Sequence, residues 1–157
     1  MTPRSRKDPE EEKFRLKAVL DYRRKVRDGL RQDLAGIRHS LDEAEGRLYV
    51  LEEVREKSMG ELEARQMEGM TAPEAGIFYT FLHELQKEIG RQRVKVGQIQ
   101  EQFDAKRDEV LKAETDARMM ENLHSRDVRV RRKEEARKDQ RQMDEAGRRR
   151  PRELPMV

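Results

Sequence analysis

The sequence predicts an all-α fold in which two long helices form an antiparallel coiled-coil hairpin. Three features predict it: few apolar residues, a sustained heptad spacing, and one clear turn near the middle of the chain. Charged residues make up 44% of the chain and hydrophobic residues 34%, whereas a compact globular domain is about half apolar. Long helices that bury one narrow seam suit this composition. The near balance of 36 basic and 33 acidic residues favours solvated helices over a disordered chain.

The second half of the chain carries the strongest periodic pattern. Seam residues recur there at alternating steps of four and three: Phe78, Leu82, Leu85, Ile89, Gln92, Val96, Ile99, Phe103, Lys106, Val110, Ala113, Ala117 and Met120. This spacing is typical of the seam of a left-handed coiled coil. A polar residue in such a seam often fixes the register of the helices at a cost in stability. We assign that role to Gln92 and Lys106.

The first half of the chain repeats the pattern less regularly. Steps of three and four follow Leu34 along one stripe, through Ile37, Leu41, Ala44, Leu48 and Leu51. Upstream, Leu16, Val19 and Val26 extend the stripe. The steps from Val26 to Leu30 and from Leu30 to Leu34 are both four, which predicts a local stutter at that point.

A short turn separates the two patterns. Gly69 suits the position after the end of a helix, and the stretch from Thr71 to Glu74 has the spacing of a capping box, with Pro73 in the first helical turn. Such a short link makes the two helices antiparallel neighbours. The sequence therefore predicts a disordered N-terminus at 1–9, a hairpin at 10–146 with its turn near 69–72, and a disordered basic C-terminus at 147–157. Within the hairpin, the first helix is expected over 9–68 and the second over 71–146.

The residues that usually support catalysis or metal binding are missing or scattered. The chain has no cysteine, and none of its three histidines lies three or four positions from another. Its many carboxylates are expected on solvated helix faces, where nothing tunes their pKa values for acid–base chemistry. We therefore expect no catalytic, cofactor or metal site and no enzyme activity. No secretory signal or membrane span is expected either, which favours a cytoplasmic location.

Net positive charge is concentrated near the C-terminus. Residues 126–157 hold 12 basic and 7 acidic residues, while the other 125 residues hold 24 and 26. Three interpretations remain open for this basic stretch: nucleic-acid binding, a solvated helix end, or docking to a protein partner. Acidic residues interrupt it and no aromatic is interleaved for base stacking, which counts against nucleic acid.

Three segments of the sequence resemble the FliJ family of flagellar type III export proteins. They are KFRLKAVLDYRR at 13–24, FYTFLHELQKEI just after the turn, and DQRQMDEAGRR at 139–149. The family is similar to the γ-subunit shaft of F-type ATPases. The resemblance covers roughly residues 10–150 and implies a stalk of the export apparatus. Two alternatives are the equivalent stalk of a virulence injectisome and a basic coiled-coil scaffold that binds nucleic acid. A third alternative is a coiled coil that associates with copies of itself.

The resemblance also implies partners. A FliJ-type stalk enters the ring of the hexameric FliI export ATPase, links it to the FlhA export gate, and handles export chaperones. It sits at the cytoplasmic face of the membrane at the flagellar base, reaches the membrane only through partners, and has no nucleic-acid partner. The paired terminal segments, about 13–30 and 120–146, would enter the ring. The candidate ATPase contacts are Arg131, Arg132, Lys133, Arg137 and Arg141.

The gate-docking surface implied by the resemblance lies nearer the turn. Its candidates are Arg47, Leu51, Val54, Ser58, Tyr79, Phe81, Leu85, Glu88 and Gln92. The heptad spacing places Leu51 and Leu85 in the seam, so these two are also expected to be core. Three of the seven aromatic residues fall within four positions here. Phe78 is expected to pack in the seam, and Tyr79 and Phe81 are expected to flank it as partner contacts. The alternative is that all three simply pack around the end of the hairpin.

Overall fold

The computed structural model describes residues Pro9–Arg149, apart from the side chains of Pro9 and Glu11. Two α-helices account for nearly all of this range, α1 at Pro9–Glu68 and α2 at Ala72–Arg149. The helices pack against each other and no strand occurs among the described residues, so the predicted helical hairpin is confirmed. The predicted disordered segments fall largely outside the described residues. Where they overlap that range, at Pro9 and at 147–149, the chain is helical.

The turn has the chemistry that its sequence predicts. Gly69 has a φ of 102°, a left-handed conformation that favours glycine. The Glu74 backbone N–H donates to the Thr71 hydroxyl, and the Thr71 backbone N–H donates to the Glu74 carboxylate, both at 3.4 Å. The Ala75 N–H donates to the Thr71 carbonyl at 3.0 Å. Gly69 ends α1, and the reciprocal capping box starts α2 three residues later.

The hairpin divides into two compact units. The turn unit comprises 27–113, and the terminal unit combines the two ends of the chain, described at 9–26 and 114–149. In the turn unit, seven apolar side chains are buried along the seam: Leu41, Ala44, Leu62, Leu85, Ile89, Val110 and Ala113. In the terminal unit, Leu20 and Ala117 are buried.

The stripe of the first helix differs from the predicted one at Val19. Leu20 is 3% exposed and Val19 is 41% exposed, so the stripe passes through Leu20. Farther along the helix, Val26, Leu30 and Leu34 are half-buried at steps of four, so the stutter predicted there stays a prediction. Arg27 is half-buried beside Val26, and a pattern of apolar residues could not detect it. Arginine fits such a site because its aliphatic stem packs while the guanidinium reaches the edge.

Gln92 is buried in the seam of the turn unit. Its side-chain amide donates to the Ala44 carbonyl at 2.9 Å across the two helices. This bond satisfies a buried polar group only when the two helices hold one particular register. The other polar seam residue, Lys106, is half-buried and turns its ammonium to Glu109 at 3.1 Å.

Candidate partner-docking surfaces

The seam of the terminal unit becomes polar toward the C-terminal part of α2. Beyond Met120 the same spacing continues through His124, Asp127 and Arg131, all of them half-buried. The Arg131 Nε lies 2.9 Å from the Asp127 Oδ2. From position 132 onward, every described residue is exposed. The packed seam therefore gives way to a solvated helix at this ion pair.

The ATPase-docking candidates differ in their surroundings. Arg131 is mostly covered and is held by Asp127, so its first role is structural. The other four candidates, Arg132, Lys133, Arg137 and Arg141, are exposed on the solvated part of α2. Residues 132–149 carry seven basic and five acidic side chains. This mixed pattern suits a protein surface with paired charges better than a run of phosphates, which favours uninterrupted positive charge.

Two exposed aromatic residues on α1 were not predicted as site residues. Phe14 is 76% exposed and Tyr22 is 63% exposed, both in the terminal unit. Neither position falls on the seam stripe, and this mismatch is the signal that could have identified them. Exposed aromatics offer large contact areas at low entropic cost. Beside them, Arg23 pairs with Asp116 at 3.4 Å and Arg24 with Glu121 at 3.1 Å, which joins the two helices of this unit.

The aromatic cluster beside the turn is part core and part surface. Phe78 is half-buried in the seam, and the Arg65 guanidinium lies 5.5 Å from its ring centroid. Tyr79 is 56% exposed and Phe81 is 47% exposed. The Tyr79 hydroxyl accepts a hydrogen bond from the Gln66 side-chain amide at 3.1 Å. The structure thus agrees with one aromatic in the core and two on its flanks.

The nine gate-docking candidates separate into a surface group and a seam group. The seam group consists of Leu51 and Ser58, which are half-buried, and Leu85 and Gln92, which are buried. The surface group consists of Arg47, Val54, Tyr79, Phe81 and Glu88. Ser58 was expected at the surface, but it occupies a seam position three residues after Arg55, whose Nη1 donates to the Gln86 side chain at 3.2 Å. Direct docking is available to the surface group, while the seam group shapes the packing beneath it.

Comparison with known families decides what kind of protein carries these surfaces. A family model described as flagellar FliJ protein matches residues 12–153. The chain belongs to the FliJ family. The match spans nearly the whole chain and confirms the resemblance seen in the three sequence segments. A search of curated proteins and a search of solved structures each found no match.

FliJ-family membership makes the chain a component of flagellar protein export, a type III secretion process. The family is a non-catalytic component of that apparatus. Within Pro9–Arg149, no helix is long and apolar enough to cross a membrane. Over the same range, no cluster of three or more His, Asp or Glu side chains is placed to hold a metal ion. The prediction that this chain has no enzyme activity stays a prediction.

Proposed function

We propose that this FliJ-family chain is a non-enzymatic coiled-coil stalk of the flagellar export apparatus. Its paired terminal segments enter the ring of a FliI-like hexameric ATPase and promote ring assembly and ATP hydrolysis. The observation that carries the proposal is the FliJ match over a hairpin whose second helix continues as an exposed, mixed-charge basic helix past Arg131. The proposal includes a cytoplasmic location at the flagellar base, with the membrane contacted only through partners.

The shape of a two-helix stalk supports a mechanism of asymmetric contact. One hairpin inside a six-membered ring cannot touch all subunits in the same way. Subunits that contact it more favourably in one state are shifted toward that state, because a ligand changes an equilibrium by its differential affinity. The exposed basic helix supplies charge for such contacts, and Phe14 and Tyr22 supply apolar area.

ATP hydrolysis by the matching export ATPase tests this role. We expect the full chain to stimulate hydrolysis and a chain cut after Asp127 not to do so. A variant with Arg132, Arg137 and Arg141 changed to Glu should lose most of the stimulation. The matched control changes three exposed basic residues of the turn unit to Glu: Lys57, Arg107 and Lys112. If both triple variants stimulated ATP hydrolysis equally, the basic helix would not be the docking element. If the full chain bound the ATPase without stimulating hydrolysis, the stalk mechanism would be rejected.

The same proposal assigns the turn end to a FlhA-like export gate. The surface group there pairs two exposed aromatics with charged neighbours, a composition typical of protein interfaces. Phe81 is a suitable anchor because it is large and half-covered by its own hairpin, so few rotamers freeze on binding. We include export chaperones among the partners, as the family resemblance implies.

Binding to the soluble domain of the gate tests the turn-end surface. Phe81→Ala is expected to weaken binding about tenfold, the usual effect of losing an interface anchor. Val94→Ala is the matched control, because Val94 is an exposed apolar residue of the same helix on a different face from Phe81. An equal loss of gate binding in both variants would indicate a non-specific apolar contact. If neither variant lost binding, the gate-docking surface would have to lie elsewhere on the chain.

A further inference from the structure

The two edges of the seam in the turn unit are not equivalent. On one edge, here called the paired edge, cross-helix bonds join α1 to α2. Arg93 pairs with Glu52 at 3.0 Å, and the Gln66 amide donates to the Tyr79 hydroxyl at 3.1 Å. These bonds close that edge with complementary partners.

The opposite edge lacks such bonds and is here called the open edge. It is formed by Asp33, Ser40 and Arg47 of α1 and by Lys95, Gln102 and Glu109 of α2. Within Pro9–Arg149, none of these six side chains bonds across to the other helix. The Ser40 hydroxyl donates to the Gly36 carbonyl of its own helix at 3.2 Å, and Glu109 binds Lys106 of its own helix.

The register of the seam places like charges side by side on the open edge. Arg55 bonds to Gln86 across the seam, and Arg38 stacks on Phe103 at 5.6 Å. In both pairs the two residue numbers sum to 141. Any residue of α1 and residue of α2 whose numbers sum to about 141 therefore lie side by side. Arg47 is then level with Lys95, and Asp33 is level with Glu109. The basic pair has no acidic partner in the described chain, while Lys106 partly neutralises the acidic pair. Like charges at one level cost stability unless something outside the hairpin compensates.

An open cleft lies on this edge beside the acidic pair, and Asp33 and Lys106 belong to its lining. Its volume is about 490 Å³, and its lining includes Gly36, Ile37 and Ser40 of α1 with Ile99 and Gln102 of α2. Two half-buried isoleucines of the seam therefore reach solvent here, beside a glycine and a serine that allow close approach of another backbone. The acidic pair lies seven residues to one side of Ser40, and the basic pair lies seven residues to the other.

This spacing makes the open edge complementary to itself. We propose that two copies of this chain dock open edge to open edge, with α1 antiparallel to α1 of the partner copy. The two-fold axis passes the level of Ser40 and Gln102. It sets the acidic pair of each copy against the basic pair of the other, as an isologous interface requires. A parallel arrangement would oppose like charges, so the charge pattern selects the antiparallel one.

The contact area indicates a weak dimer. Fourteen residues of helix span roughly 21 Å, and two helices side by side are roughly 20 Å wide, which gives roughly 400 Å² per partner. Stable complexes bury about 800 Å² per partner. Much of the specificity therefore comes from the charged pairs, and association should weaken as salt screens them.

Charge reversal tests both the contact and its direction. One variant carries Arg47→Glu and Lys95→Glu, which makes both ends of the edge acidic. The other carries Asp33→Lys and Glu109→Lys, which makes both ends basic. In sedimentation equilibrium, we expect the wild-type chain to dimerise at about 0.1 M salt and to dissociate toward about 1 M salt. Each variant alone should dimerise at least tenfold more weakly, and their equimolar mixture should regain a heterodimer at least as tight as the wild-type dimer.

A glycine pair provides a matched steric test. A Cβ at Gly36 meets nothing within 4 Å, and neither does one at Gly46. Gly36→Gln and Gly46→Gln should both keep the hairpin folded by circular dichroism, but only the first fills the open edge. We expect Gly36→Gln to weaken the dimer at least tenfold and Gly46→Gln to leave it unchanged. The proposal is overturned if the wild-type chain stays monomeric, if the two glycine variants behave alike, or if the mixture of charge variants does not associate.

Discussion

The terminal unit and the turn unit are built from the same two helices, but their seams are filled differently. In the described residues, the turn unit buries seven apolar side chains and the terminal unit buries two. The terminal unit instead holds His124 and Asp127 at seam positions and joins its helices through two exposed ion pairs, Arg23–Asp116 and Arg24–Glu121. Apolar burial stabilises by about 25 cal/mol per Å², whereas an exposed ion pair contributes about 0–1 kcal/mol.

The difference shows how one architecture can serve two purposes. A seam rich in buried apolar residues stabilises the turn unit. We expect the polar seam to make the terminal unit less stable, so that a partner that binds it also orders it. This division suits a stalk whose terminal segments are proposed to work inside a ring. Four variants probe the contrast, from the largest expected effect to the smallest.

Ile89→Ala should have the largest effect on stability. Ile89 is fully buried at the centre of the turn-unit seam, and removing its side chain leaves a cavity that α1 cannot easily close. We expect a loss of about 3 kcal/mol in the free energy of unfolding, measured by urea denaturation. Val94→Ala, at an exposed position of the same helix, should cost less than about 0.5 kcal/mol. Equal costs would contradict the seam assignment.

Leu20→Ala should weaken the terminal unit selectively. Leu20 is one of the two buried apolar side chains among the described residues of this unit, so its loss should cost about 2 kcal/mol in the opening free energy of nearby amides. Native-state hydrogen exchange measures this and reports the turn unit at the same time. The neighbouring change Val19→Ala is the control and should alter exchange little, because Val19 is exposed. If Val19→Ala lowered the opening free energy more than Leu20→Ala did, Val19 would be the seam residue, as the sequence predicted.

Gly69→Ala separates backbone conformation from packing. Because φ is 102° at Gly69, a side chain there should cost about 1–2 kcal/mol in thermal unfolding. Gly60→Ala, inside α1 with open space around it, should instead stabilise the protein by up to about 1 kcal/mol. If Gly69→Ala and Gly60→Ala changed the stability in the same direction, the turn would not be held in a left-handed conformation.

The Arg24–Glu121 ion pair should show the smallest effect. A double-mutant cycle of Arg24→Ala and Glu121→Ala is expected to give a coupling free energy of about 0.2–1 kcal/mol that falls as salt is added. The Arg93–Glu52 pair of the turn unit, at a similar distance, provides the matched cycle. A coupling above about 2 kcal/mol in the terminal unit would show that ion pairs replace the missing apolar core there.

The sequence predicted much of the fold because the signals for it are local. Heptad spacing from Phe78 to Met120 is a property of one helix, and the capping box between Thr71 and Glu74 needs only its own four residues. The predicted stripe was wrong at Val19, because a step of four from Leu16 to Leu20 fits a heptad seam as well as a step of three from Leu16 to Val19. The seam beyond Met120 escaped detection because His124 and Asp127 are polar.

The candidate surfaces were predicted less completely than the helices. Exposure of Tyr79 and Phe81 follows from their positions beside the seam. The family resemblance carries no information on burial; the heptad spacing placed Gln92 in the seam, but the stripe on the first helix was followed only to Leu51 and so missed Ser58. The cross-helix contact from Gln92 to Ala44 spans 48 residues and depends on the register of the opposite helix.

By itself, the sequence determined the helical class, the two helices, the turn and the family. Composition, heptad period and caps are short-range properties that one chain segment carries alone. Only the tertiary structure decided that Leu20 rather than Val19 is buried, that Gln92 bonds to Ala44, and that one edge of the turn unit is paired while the other is open. Those outcomes depend on which side chains of the opposite helix lie across the seam, and no single stretch of sequence contains that information.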